Sequence, residues 1–533
     1  MAERALVVAA RGRPLSVLPE GFASFQELYM RFDRRVLGVF RAAFGGVLLY
    51  DLLRRFPDAA LLWSSEGVLP SEVLKKVPQD AHQFSLLLSL TSATQVKLAF
   101  AGMGLLFLLY TVGLFSRLVQ PLALIAYASL NARNLFFEDG GTGCTILLLG
   151  WTLLLPLGDR FSLDALLRDA KLAKIEERVV ARAAAKKPLI TLAALAVLLQ
   201  AAVIYWLNAA HKTGSTWRGG DAVHLVLWQH RVNTPFALWL AAHEPNWPSP
   251  LLTWLTKRTE FVLPVLLLWP THPTQSRSIA FLLALGLHGG IALCLTLGPF
   301  SYAMICLLWL AVPGTALDAG LRRLPTRGSW RLARYRARAV RAARRALFRG
   351  STTAWSLSPV WAPRAREAVL ACMLLVEGVN VLASNRAIPK ALRVSPPDWL
   401  LAYKLYLRGY QGWSMFAPNA PVEDGTLVVD ATTRSGRHID PFTGRAPDGE
   451  LIRRGRVPHS IALSDYFLAM RDPRNARYRK SLARYLQRLY PPNSPDRLTQ
   501  AEFWWASYTP PPRGSDEPGP IRKQELWKVK LGR

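Results

Sequence analysis

The residues with the strongest claim to chemistry are the adjacent His211-Lys212, with Trp217 five positions on. They close a long apolar run, from Leu189 to Leu207. An ionisable group at the end of a membrane span, backed by aromatics and with no counter-ion in the same stretch, is a functional candidate. Desolvation disfavours the ammonium form, and a neutral amine is a base. The structural alternative is a lysine snorkelling to the headgroups beside a tryptophan of the aromatic belt. A second polar patch, Asn131 to Gly141, carries Arg133, Asn134, Glu138 and Asp139, and reads otherwise as an ordinary solvated loop. A third feature, His288-Gly289-Gly290, lies within another apolar run.

The elements that must hold these residues are apolar segments. Half of the 533 residues are hydrophobic, with 18 Trp among them, which suits a polytopic membrane protein. Spans are expected at 35–53, 96–115, 118–130, 144–157, 189–207, 251–269, 279–297, 300–312 and 368–382, each near the length a bilayer requires or somewhat short of it. The span at 251–269 carries Lys257, Arg258 and Glu260, which either face a cavity, where they pair or bind a ligand, or sit at the membrane rim. The stretch from Asp221 to Trp239 reads as an interfacial amphipathic helix.

The net charge of +30 invites a nucleic-acid reading. Much of it, however, falls in loops 159–187 and 317–366, where the positive-inside rule places cytoplasmic arginine and lysine, so no nucleic-acid partner is expected. With nine spans and the N-terminus inside, both basic loops are cytoplasmic, and His211-Lys212, the 131–141 patch and the tail share the opposite face. The fold class is thus all-α polytopic, with about nine transmembrane helices and a small C-terminal α+β extramembrane region. Its parts are an N-terminal cytoplasmic segment 1–30, a transmembrane domain 31–385 and an extracytoplasmic region 386–533. Cys144, Cys294, Cys306 and Cys372 lie in apolar segments without paired spacing, so neither a zinc site nor a disulfide framework is expected.

In the tail, Tyr406, Tyr410 and Trp413 form an aromatic cluster, and Leu427-Val428-Val429 with the Ser435-Gly436 turn predicts a short strand pair. Residues 474–489 read as a basic helix and 510–520 as a loose proline-rich end. The basic excess of the tail would attract acidic peptides or, equally, anionic lipid headgroups.

Taken together, His211-Lys212 with Trp217, His288-Gly289-Gly290 leading to Leu297-Gly298-Pro299-Phe300-Ser301-Tyr302, and Leu157 to Asp164 resemble the vitamin K-dependent gamma-glutamyl carboxylase family. The likeness is to its bacterial branch, with the so-called horizontally transferred transmembrane domain, and continues through Gly409-Tyr410 and Trp413-Ser414-Met415. The resemblance implies an integral enzyme of a bacterial inner membrane, a carbon–carbon lyase. It would use reduced vitamin K of menaquinol type, without a metal, to carboxylate glutamate in an acidic peptide. Lys212 would be the base, with His211 beside it. Trp217, His288, Arg133, Asn134, Tyr410, Trp413 and Met415 would shape the quinone site. Where animal members carry a histidine after the third span, this chain has Asn131, Arg133 and Asn134. The alternative is a membrane scaffold, a lipid or quinone binder, or a partner of a redox system that keeps this architecture.

Overall fold

The computed structural model describes residues 20–75, 85–137, 139–171, 187–243, 248–322, 335, 338, 341–342, 363–450, 452, 459–491, 493–494, 496–515 and 517–531. Residues 1–19 of the N-terminal segment and most of both basic loops lie outside them.

A helix falls on each of the nine expected spans: α1 (Arg34–Arg55), α2 (Ala93–Val112), α3 (Ser116–Ala132), α4 (Gly140–Thr152), α5 (Leu192–His211), then, after the short α6 (Ala222–Leu227), α7 (Pro248–Leu268), α8 (Pro273–Cys294), α9 (Phe300–Leu310) and α10 (Pro363–Ser384). Local signals fix their ends. Ser92 and Gln95 form a capping box at α2, and the Asp139 and Thr191 side chains cap α4 and α5.

Among the described residues, five helical stretches are long and apolar enough to cross a membrane: 34–63, α2, α5, α8 and α10. A sixth is counted if α9 and the helix Gly314–Arg322, bent by 100° against each other, form one span. At 17, 13 and 11 residues, α3, α4 and α9 fall short of about 20, and α7 carries Lys257, Arg258 and Glu260. The outward faces are apolar, with Leu98 of α2 68% and Leu375 of α10 72% exposed. Helices that bury one apolar face and present another to their surroundings are built for lipid.

The helix ends sort onto two faces. On the first, β1 (Arg31–Phe32) pairs antiparallel with β2 (Leu189–Ile190), just before α1 and α5. The Arg277 guanidinium of α8 donates to the Leu28 carbonyl at 2.8 Å, and Arg366 of α10 donates to Ile190. On the second face, the Trp63 indole donates to the Leu130 carbonyl at the end of α3, and the Asn385 amide, just past α10, donates to Gln411 of the tail. The nine helices therefore alternate in direction.

The tail holds a four-stranded sheet in the order β4-β3-β5-β6: β3 (Asp424–Thr433), β4 (His438–Ile439), β5 (Leu498–Tyr508) and β6 (Arg522–Lys530). The expected strand pair is β3-β4. The residues read as a loose end instead connect β5 to β6, which run antiparallel. Val429, Ala501, Phe503 and Trp505 join a core with α11 (Ile461–Arg471) and α12 (Ala476–Leu489). The Asp221–Trp239 stretch is broken after α6, because the His230 N–H is taken by the Asp424 carboxylate at 2.7 Å and His224 Nε2 bonds the Pro511 carbonyl. That stretch docks the tail.

Charges inside the bundle are paired there. Asp51 is fully buried and bonds Arg54 at 2.7 Å, Arg55 at 2.6 Å and the Tyr127 hydroxyl at 2.8 Å. Asp51→Asn strands the fully buried Arg55 charge, so a loss of about 3–5 kcal/mol is expected. It would be read as a lowered thermal midpoint in detergent, and an unchanged midpoint would refute this role.

Candidate functional site

At the second face, α5 stops because Lys212 leaves helical geometry (φ −77°, ψ 66°). The turn that follows is clamped by the tail. Gly214 N–H donates to the Pro418 carbonyl at 2.9 Å, Thr216 N–H to the Asn419 side chain at 3.1 Å, and the Trp217 indole to the Phe416 carbonyl at 2.7 Å. These contacts bring Met415 and Phe416 over a cavity of about 720 Å³ bounded by α5, α6, α7, α8 and the N-terminal ends of α4 and α9.

Most of the cavity wall is apolar, and its polar groups are few. Lys212 Nζ lies 2.5 Å from Glu260 Oε1 of α7 and 4.3 Å from the centre of the Trp217 ring. Asn208, one helical turn before Lys212, donates to the same Glu260 oxygen at 2.8 Å, and Lys257 Nζ holds the Lys212 carbonyl at 2.8 Å. On α8, His288 Nε2 shares a 2.7 Å hydrogen bond with the Tyr205 hydroxyl, and its ring sits edge-on to Phe300. Burial draws the Lys212 amine below the usual lysine range, while the Glu260 carboxylate pulls the other way. The expectation of a lysine without a counter-ion is thus corrected: Glu260 supplies one from another helix.

Asp139 caps α4 and opens onto the cavity. Behind it, Gly298 has a left-handed backbone (φ +58°), and a Cβ there would stand 2.7 Å from Arg54 Nη2 and 2.9 Å from Asp139 Oδ2. Only glycine lets guanidinium and carboxylate close on this turn.

Of the sequence candidates, Lys212, Trp217, His288 and Met415 share the cavity wall. His211 stands outside it: Nδ1 is 2.7 Å from the Leu207 carbonyl and Nε2 accepts the Ala387 N–H at 3.1 Å, which fixes a neutral tautomer. Arg133 and Asn134 also lie off the cavity, donating to the carbonyls of Leu69 and Leu62. Tyr410 lies beneath the Arg408 guanidinium, and the Trp413 indole donates to Gln411 at 2.7 Å, so both position the loop that delivers Met415. Sequence reasoning did not single out Tyr205, Asn208 or Asp139 for this site, and left Lys257, Arg258 and Glu260 open between a cavity and the membrane rim, of which Glu260 takes the cavity. The helical spacing of Tyr205, Asn208 and Lys212, which puts them on one face, is the signal that finds the first two. Among the described residues, no three His, Cys, Asp or Glu side chains group as metal ligands.

No family model, curated protein or solved structure matches the chain.

The pair makes a pH prediction. After reductive ¹³C-methylation, the Lys212 amine should titrate below the ordinary lysine value near 10.5. In Glu260→Gln it should titrate lower still, because the raising partner is gone while desolvation remains. An NMR titration reads both midpoints, and an upward move in Glu260→Gln would reverse the assignment.

Proposed function

We propose that this chain is an integral-membrane enzyme of the vitamin K-dependent gamma-glutamyl carboxylase type, with the cavity beside Lys212 as its hydroquinone site. The observation that carries the reading is the buried Lys212–Glu260 pair on the wall of a largely apolar cavity within a membrane-type bundle. In the same proposal, all nine alternating helices cross a bacterial inner membrane. The N-terminus is cytoplasmic, and the tail is on the far side with the site.

The residues fit a flat ligand bearing oxygens. Glu260 Oε2 and His288 Nδ1 are buried without hydrogen-bond partners, and both side chains line the cavity. When bound, a hydroquinone supplies, after reaction with oxygen, the strong base that removes a glutamate γ-proton before carbon dioxide adds. This chain's part is proton handling. Lys212 can take a phenolic proton when its amine is neutral, the form that burial in the apolar wall favours. Trp217 covers the amine and excludes water, while Tyr205 holds the His288 ring with Nδ1 free for a second oxygen. The acceptor in this reading is an acidic, glutamate-bearing peptide.

A second reading, a non-catalytic binder of lipid or quinone, is favoured by Glu260 itself, since a counter-ion at 2.5 Å also holds Lys212 as a fixed ammonium. One experiment separates them: purified protein in detergent with menaquinol, oxygen, labelled bicarbonate and a glutamate-rich peptide. The enzyme reading expects epoxide and labelled peptide, both reduced by about 10²-fold or more in Lys212→Ala. Menaquinol binding without epoxide supports the binder. Gly290→Leu is a further check, because a Cβ at this cavity-lining glycine meets open space, so the side chain fills the ligand's volume without disturbing the helix. Menaquinol affinity should fall at least about tenfold at unchanged thermal stability.

A further inference from the structure

A second cavity, of about 570 Å³, lies where the tail meets the bundle, lined by a different set of residues. Asp58 and Leu61, which follow α1, form one side, and Phe442, His459, Tyr485 and Tyr490 of the tail form the other. The Phe442 and Tyr485 rings lie nearly parallel, at 15° with centres 6.4 Å apart. In a chain of net charge +30, neither lysine nor arginine lines this cavity among the described residues.

Three groups here are left with hydrogen-bonding capacity. Asp58 accepts the Ser460 hydroxyl at 2.6 Å and faces no cation among the described residues. Asp440, beside the lining Pro441, uses Oδ1 on the Phe442 N–H at 2.8 Å, while Oδ2 stands 3.8 Å from His459 Nε2. The His459 side chain is only 2% exposed, yet its Nε2 has no hydrogen-bond partner. A separation of 3.8 Å is too long for a direct hydrogen bond, but a nitrogen bearing N–H groups that stands to one side of the pair can reach both at about 2.9 Å, with the His459 proton on Nδ1.

We propose that this cavity binds a lysine or arginine side chain presented by a peptide, its cationic head between Asp440 and His459 and its stem along Phe442 and Tyr485, with Asp58 at the mouth. The apolar stem of such a side chain packs on the ring faces while its head stays polar, and a carboxylate supplies the charge-assisted bond. Burial pushes the His459 pKa down to about 4, so at neutral pH its imidazole is uncharged and does not repel the incoming head. The site is distinct from the Lys212 cavity and stands whether or not that cavity is catalytic.

Fluorescence anisotropy on the full-length protein in detergent tests this. The probes are a fluorescein-labelled tripeptide with a central lysine, its Nε-acetyl-lysine twin and its glutamate twin. The lysine peptide should bind saturably and about tenfold or more tighter than either twin, a difference that Asp440→Asn or Tyr485→Ala should erode about tenfold. Asp440→Asn keeps the Oδ1 acceptor that orders the loop, and Asp58→Asn gives an independent variant should the first fail to fold. Equal binding of the lysine and acetyl-lysine peptides, preference for the glutamate peptide, or affinity unchanged in folded Asp440→Asn and Asp58→Asn would overturn the proposal.

Discussion

An apolar bundle cannot leave a charge or a strong polar group to water, so each one it encloses must find its partner inside. That constraint organises this structure. Asp51 gathers Arg54, Arg55 and Tyr127 from α1 and α3, and Glu260 of α7 meets Lys212 at the end of α5. The Arg41 guanidinium of α1 is spent on carbonyls, Tyr110 at 3.0 Å among them, and so ties α1 to the end of α2. The Asp51–Tyr127, Lys212–Glu260 and Arg41–Tyr110 contacts join residues that are distant in sequence and fix one helix against another more specifically than leucine packing would. Among the buried atoms left without a hydrogen-bond partner, Glu260 Oε2 and His288 Nδ1 belong to side chains on the cavity wall.

The same constraint docks the tail. Gln200 of α5 and Gln411 exchange amide hydrogen bonds at 2.9 and 2.7 Å, and Gln411 also donates to Glu377 of α10 at 2.9 Å. Asn380 bridges Glu377 and the Gly409 carbonyl, and the Tyr403 hydroxyl donates to the other Glu377 oxygen. A buried carboxylate with no cation bonded to it among the described residues is thus satisfied by amides and a phenol. The network holds loop 409–416 against the bundle, which is why Met415 and Phe416 reach the cavity at all.

The helices were legible because apolar runs of membrane type dominate the sequence, and Lys212 was legible because an ionisable group ends such a run. Its partner was not. Lys212 and Glu260 are 48 positions apart, and nothing local announces which charge in 251–269 turns inward. The break after α6 was hidden for the same reason, since the Asp424 carboxylate that captures the His230 N–H lies in the tail. Strand β6 was missed because Arg522–Lys530 exposes much of its length and lacks clear apolar alternation, so pairing with β5 makes it a strand more than its own propensity does. His211 looked catalytic by adjacency, but successive helical residues point about 100° apart, and it turns to the Ala387 backbone while Lys212 turns to the cavity.

The cavity wall draws on residues from Asp139 to Phe416, with Lys212, Glu260 and His288 between. During synthesis, the ribosome releases these pieces over about half of its passage along the message. The loop bearing Met415 and Phe416 emerges only after α10. A nascent chain therefore has the lysine, the glutamate and the histidine well before it has the loop that completes the cavity wall, so the closed cavity exists only once the tail has docked.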